Sequence, residues 1–169
     1  TDACSVLIMA SLWIINKAGG LIYNVDYSTP PSGLSSNDYL ILAGTLHGIH
    51  AITARLSPTV AGKAGGGRPD MGIQQLQANG FDMNVMATAT GETLGLRAKL
   101  SALTLIISPS SGIKLVLITP PGHSPTPASL LQKAYEAYAD QVMKNPFYTA
   151  EMPIRIESFD KQIKSILGG

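Results

Sequence analysis

Apolar positions fall along the chain in two rhythms. Leu12-Trp13-Ile14-Ile15 and residues 21–26 are short apolar runs separated by Asn16-Lys17-Ala18-Gly19-Gly20. Two such runs around a glycine-containing connection predict a β-hairpin. Tyr39, Leu42, Leu46, Ile49, Ile52 and Leu56 then recur every three or four residues. That spacing predicts a helix burying this stripe, capped by Ser35 or Ser36, with Asp38 near the positive end of its dipole. Gly44 and Gly48 lie on another face and lower helix propensity. They predict a close approach by a neighbouring element.

Residues 73–77 read as a short strand. Phe81, Met83, Val85 and Ala87 alternate with Asp82, Asn84 and Met86, which predicts a strand with one apolar face. Residues 103–107 and 113–118 flank Ser108-Pro109-Ser110-Ser111-Gly112 and predict a second hairpin. Thr126-Pro127 is a helix start. Leu131, Tyr135, Tyr138 and Val142 form the stripe of that helix, which ends at Asn145-Pro146. Ile156, Phe159, Ile163 and Ile166 predict a last amphipathic helix. Hairpin, helix, strands and two helices in this order predict an α+β fold, with an antiparallel sheet covered by helices.

Composition narrows the function. The chain has 169 residues, one domain's worth, with 45% hydrophobic and only 14% charged residues. A sizeable core and an uncharged surface follow, and low surface charge favours association. The formal net charge is +1 and Lys and Arg form no runs, so nothing marks a nucleic-acid or polybasic membrane surface. Cys4 is the single cysteine, so no internal disulfide or multi-cysteine zinc site is expected. No apolar run approaches the ~20 residues that span a bilayer.

Catalytic signals are sparse. His47 and His50 are three apart on the predicted helix, without the further ligands a metal centre needs. His123 lies in a Pro-rich loop without an orienting carboxylate. Residues 61–67 are glycine-rich but lack the lysine and hydroxyl pattern of a phosphate loop. We therefore expect no catalytic residues, metal or cofactor, and a binding or assembly role. The rival is a small-molecule enzyme or carrier with a cleft near His47, His50 and His123.

Residues 144–155 read Lys-Asn-Pro-Phe-Tyr-Thr-Ala-Glu-Met-Pro-Ile-Arg. Pro146 and Pro153 stiffen this connection and disfavour helix at the residues before them. Phe147 and Tyr148 either fill the core edge or dock a partner. If Pro153 holds the segment extended, Met152 and Ile154 face the protein while Glu151, Pro153 and Arg155 face outward. Arg155 then meets a partner's carboxylate, or pairs with Glu151 or Glu157.

This stretch, together with residues 16–23 (Asn-Lys-Ala-Gly-Gly-Leu-Ile-Tyr), resembles the synbindin-type longin subunits of the TRAPP complex. The resemblance covers most of residues 9–167. It implies a longin, profilin-like fold: an antiparallel five-stranded sheet with one helix on one face and two on the other. It also implies a core subunit of a tethering complex, non-catalytic by itself. With a sibling longin subunit and α/β subunits, such a subunit forms a composite guanine-nucleotide exchange surface for a Rab-type GTPase. The implied setting is ER-to-Golgi and Golgi transport and autophagy, in the cytoplasm at the periphery of membranes. Animal members carry a PDZ-like insertion where residues 26–36 are a short loop, so the chain resembles a fungal form. The motif positions expected at protein interfaces are Asn16, Lys17, Lys144, Asn145, Phe147, Tyr148, Glu151, Met152, Pro153 and Arg155. We expect residues 1–8 to be an extension, 9–169 one longin domain, 59–71 a flexible loop, and 92–102 an insertion. The neighbouring alternatives are an adaptor small subunit or a SNARE-regulating longin domain.

Overall fold

The computed structural model describes residues 10–27, 33–56, 72–88, 112–121, 127–149 and 151–167. The expected extension (1–8), loop (59–71) and insertion (92–102), the run 103–107, and His123 lie outside these residues.

Five strands form one antiparallel sheet: β1 (Ser11–Ile15), β2 (Leu21–Asp26), β3 (Gln75–Gln77), β4 (Asp82–Ala87) and β5 (Lys114–Thr119), in the order β2-β1-β5-β4-β3. The helices are α1 (Ser36–Leu56), α2 (Pro127–Tyr138) and α3 (Glu157–Leu167), and α2 runs into a π-helical turn, Ala139–Met143. This is the longin-type α+β arrangement.

Side-chain alternation explains the layering. In a strand, neighbouring side chains point to opposite faces. On β1, Leu12 and Ile14 face one side with Leu115 and Leu117 of β5, against Leu131, Tyr138, Phe159 and Ile163 of α2 and α3. Trp13, Ile15 and Val116 face the other side with Met83 and Val85, against Ala43 and Leu46 of α1. The central strands are therefore apolar on both faces, as a sheet covered on both sides requires.

The second hairpin is not the one expected. β5 is bonded to β1 on one edge and β4 on the other, so neither edge is left for residues 103–107. Its hairpin partner is β4. Thr88 closes this pair: its amide donates to the Ile113 carbonyl at 2.9 Å and its hydroxyl at 3.1 Å. A Cβ on Gly112 would lie 1.6 Å from the Thr88 carbonyl oxygen, so the two ends of the 89–111 connection touch. A connection whose ends are already held together contributes little to register. We expect Ala89→Asn with deletion of residues 90–111, leaving an Asn-Gly turn, to melt within a few °C of the full chain in circular dichroism. A collapse of cooperative unfolding would show that the connection packs as part of the core.

The buried face of α1 is also rotated from the expected stripe. Ala43, Leu46, His50 and Ala54 are buried, whereas Leu42 is 41% exposed, Ile49 44% and Ile52 59%. Apolar residues surround this helix, so periodicity alone did not choose the face that the small Ala43 and Ala54 let approach the sheet. Ser35 is the N-cap: its backbone amide and hydroxyl donate to Asp38, and the Asp38 amide donates back to the Ser35 hydroxyl. No atom lies within 4 Å of a Cβ placed on Gly44 or Gly48, so no described element makes the close approach expected there.

Candidate functional site

The fold brings the two sequence motifs together. The turn after β1 is organised by Asn16, which is buried. Its side-chain oxygen accepts from the Ala18 amide at 3.0 Å and the Gly20 amide at 2.7 Å. Gly19 has φ of 91° and lies against the His47 ring, where a Cβ would sit 3.1 Å from the imidazole. Both conformation and space thus call for glycine. The β1–β2 register shifts between Ile14 and Ile15 and leaves Ile22 without a β1 partner. The Ile22 carbonyl accepts the Ile154 amide at 2.8 Å, which ties the 151–156 segment to the edge of the sheet. Across this junction Lys17 Nζ lies 3.5 Å from Glu151 Oε1.

The second motif folds as two consecutive turns. Asn145 caps the first, its Oδ1 accepting the Phe147 amide at 3.0 Å. Phe147 is 94% exposed, so it does not fill the core edge. Tyr148 does: its ring packs on the core, and its hydroxyl donates to the Met152 carbonyl at 2.8 Å. Burial raises the Tyr148 pKa, so the phenol stays a donor at neutral pH. The Met152 amide donates to the Thr149 carbonyl, closing the second turn.

Glu151 takes φ of 73° in this turn. A non-glycine residue there carries roughly 1–2 kcal/mol of strain. Such strain gathers where the surrounding structure demands a particular aim. The turn also corrects one expectation. Met152 is 57% exposed rather than inward, because alternation starts only after the turn, with Ile154 buried and Pro153 and Arg155 outward. Lys144 pairs with Asp140 one turn back along the helix end, so it is held within its own chain. Arg155 is exposed with no partner among the described residues, and Glu151 pairs with Lys17 rather than with it.

The result is a ridge of Phe147, Met152 and Met143, with Lys17, Glu151 and Arg155 along its flank. The exposed Met143 (50%) was not anticipated. It follows a π-helical turn, a feature that re-aims side chains and is frequent at functional sites. α1 was missed as well. Ile41 and Ile52 are 58% and 59% exposed and share the outward side with Gly44 and Gly48. The signal was present: a helix that is apolar all round is one that something else buries.

The histidines form no catalytic arrangement. Lys114 is fully buried on the α1 face, with Nζ 3.3 Å from His47 Nδ1 and 3.5 Å from the Gly112 carbonyl. Burial lowers the Lys114 pKa. Burial, then the Lys114 charge, lowers those of His47 and His50, with the Ile73 backbone pulling His50 partly back. Among the described residues, no group of three or more His, Cys, Asp or Glu side chains could hold a metal ion.

The pH consequence has a definite sign. Histidines whose folded pKa lies below the unfolded value of about 6.5 bind fewer protons when folded, so stability is lost as pH falls through that value. The lowered Lys114 pKa adds a slope of the same sign up to its unfolded value of about 10.4. We expect the melting temperature to fall from pH 7.5 to 5.5, and the fall to be shallower in Lys114→Met. Replacing a buried ion by an apolar side chain of similar length is neutral or stabilising in many proteins. A Lys114→Met chain with a lower melting temperature at both pH values would show that the lysine's hydrogen bonds dominate.

A covered antiparallel sheet with exposed apolar ridges and no evident catalytic group among the described residues defines a class: a longin-type interaction subunit. The family model of the Sybindin-like family matches residues 9–105 and 94–168. The chain belongs to the Sybindin-like family. It is 35% identical over 158 residues to trafficking protein particle complex subunit 4 of Dictyostelium discoideum, covering 94% of this chain and 95% of that one. It is 34% identical over 134 residues to the subunits of that name from Bos taurus and Homo sapiens, covering 79% of this chain. The matched region spans 48%, about half, of the length of those mammalian relatives.

Proposed function

We propose that the chain is a core subunit of a trafficking protein particle complex and acts by binding rather than by covalent chemistry. In this reading it joins a sibling longin subunit and α/β subunits, and together they form the exchange surface for a Rab-type GTPase in ER-to-Golgi and Golgi transport and autophagy. It works in the cytoplasm and reaches membranes peripherally, through the complex. No helix among the described residues is long and apolar enough to cross a membrane, which fits that reading. The observation that carries it is the junction of residues 16–23 with 144–155, joined by Ile154–Ile22 and Lys17–Glu151. That junction presents Phe147, Met152 and Arg155 outward, beside a strained Glu151. Exchange requires only that the complex bind the nucleotide-free GTPase better than the loaded one, a difference in affinity between two states.

The test uses the complex reconstituted with its sibling subunits. Phe147→Ser and Arg155→Ala should each leave the melting temperature of the chain unchanged. Each should weaken assembly or slow nucleotide release at least about tenfold, as for the loss of an interface anchor. Wild-type assembly and exchange in both variants would remove this ridge from the interface.

A further inference from the structure

Between α1 and the far half of the sheet lies a cavity of about 520 Å³. Its walls are Trp13, Leu42, Leu46, Ile49, Phe81 and Met83. The exposed large apolar side chains of this region do not scatter. Leu42, Ile49 and Phe81, each 40–44% exposed, all turn to this one space. Scattered exposed apolar residues are normal, whereas converging ones mark a site. The Trp13 ring is 6% exposed, and its indole N–H is buried without a hydrogen-bond partner, an uncommon state for a buried donor. One end of the cavity is polar. There the Asp26 carboxylate accepts from the Ser11 hydroxyl at 2.8 Å and the Tyr39 hydroxyl at 3.2 Å.

We infer that this cavity binds a single-chain amphiphile with an ammonium or hydroxyl head. The volume falls in the lower half of the ~300–1,000 Å³ typical of small-molecule sites, which suits one hydrocarbon chain rather than two. Walls of aliphatic and aromatic side chains take the hydrocarbon, with about 25 cal/mol gained per Å² removed from water. Asp26 at the polar end selects the head. It attracts a cation or a hydrogen-bond donor and repels an acid, because like charges brought together out of water are costly. A fatty acid, with the same body, is the wrong ligand here.

Trp13 is the chain's single tryptophan and therefore a local reporter. Bromine at the end of an alkyl chain quenches indole fluorescence only in contact. The full chain would be titrated with 12-bromododecylamine, 12-bromododecanol and 12-bromododecanoate, each below the concentration at which it forms micelles. Saturable quenching by the amine and the alcohol is expected, with the carboxylate about tenfold weaker. Asp26→Asn should remove that discrimination. Leu42→Phe with Ile49→Phe, which narrows the mouth at two exposed positions, should abolish quenching while the melting temperature holds. Absence of quenching by every probe would overturn the inference. So would undiminished quenching in the Phe variant, or equal binding of amine and acid by the unaltered chain. The titration would be repeated in the assembled complex, reading Trp13 as the difference from a Trp13→Phe chain. Protection by the sibling subunits there would assign the cavity to a protein partner and overturn the inference equally.

Discussion

Aspartate at both Ile41 and Ile52 is expected to abolish recovery of the sibling subunits while leaving the isolated chain folded. Both side chains lie on the outward side of α1, more than half exposed, beside Gly44 and Gly48, which bear no side chain. Burying two isoleucines against a partner is worth about 1.5–3 kcal/mol each. The aspartates forfeit that burial and would enter the interface as unpaired charges. A loss of about 3 kcal/mol or more is over a hundredfold in affinity. Circular dichroism of the variant alone should match wild type, since neither position contributes to the described core. Copurification with coexpressed sibling subunits reads the effect, and undiminished recovery would mean that α1 faces solvent in the assembly.

Phe159→Ala is expected to have the largest effect on the fold itself. Phe159 is fully buried, and its ring meets Tyr23 edge-on with centroids 5.0 Å apart. Removing a buried phenylalanine costs about 3–5 kcal/mol, a large part of the ~5–15 kcal/mol that holds a domain together. For a chain of this length, that lowers the melting temperature by about 10 °C. The damage should also reach the interaction ridge. Tyr23 donates a 2.9 Å hydrogen bond to Asp160, the neighbour of Phe159, and the adjacent Ile22 holds the 151–156 segment. Burial, with Asp160 adding to it, raises the Tyr23 pKa, so this bond persists across the neutral range. The contrast is Phe147→Ala. That ring is almost fully exposed, so the melting temperature should not move. A small shift for Phe159→Ala, or a large one for Phe147→Ala, would contradict the layering described above.

Much of the architecture was legible in local patterns. Leu12 to Ile15 and Leu115 to Val116 are apolar at consecutive positions, and only a strand covered on both faces makes use of that. The stripe of α2 was read correctly at Leu131 and Tyr138 and that of α3 at Phe159 and Ile163, because polar residues on their other faces leave one choice. The two motifs were legible as stiff, side-chain-rich segments near opposite ends of the chain. Their contact was not. Lys17 and Glu151 meet only because β2 lies at the edge of the sheet and the chain returns past it after α2.

Sequence by itself determined the element types, the α+β class, the stop at Pro146 and the family. These are local properties, written in spacing, turn chemistry and short motifs. Tertiary structure decided the partner of β5, the buried face of α1, the turn at Glu151 and the cavity against Trp13. Each is a choice among alternatives of similar local energy. Residues 82–87 and 103–107 both read as hairpin partners for β5, and edge pairing with β1 left room for one. α1 offers apolar side chains all round, and close approach to the sheet selected the side carrying Ala43 and Ala54. Glu151 adopts a backbone that its own residue type disfavours, because the turn from Thr149 to Met152 and the bond from Ile154 to Ile22 bracket it on both sides.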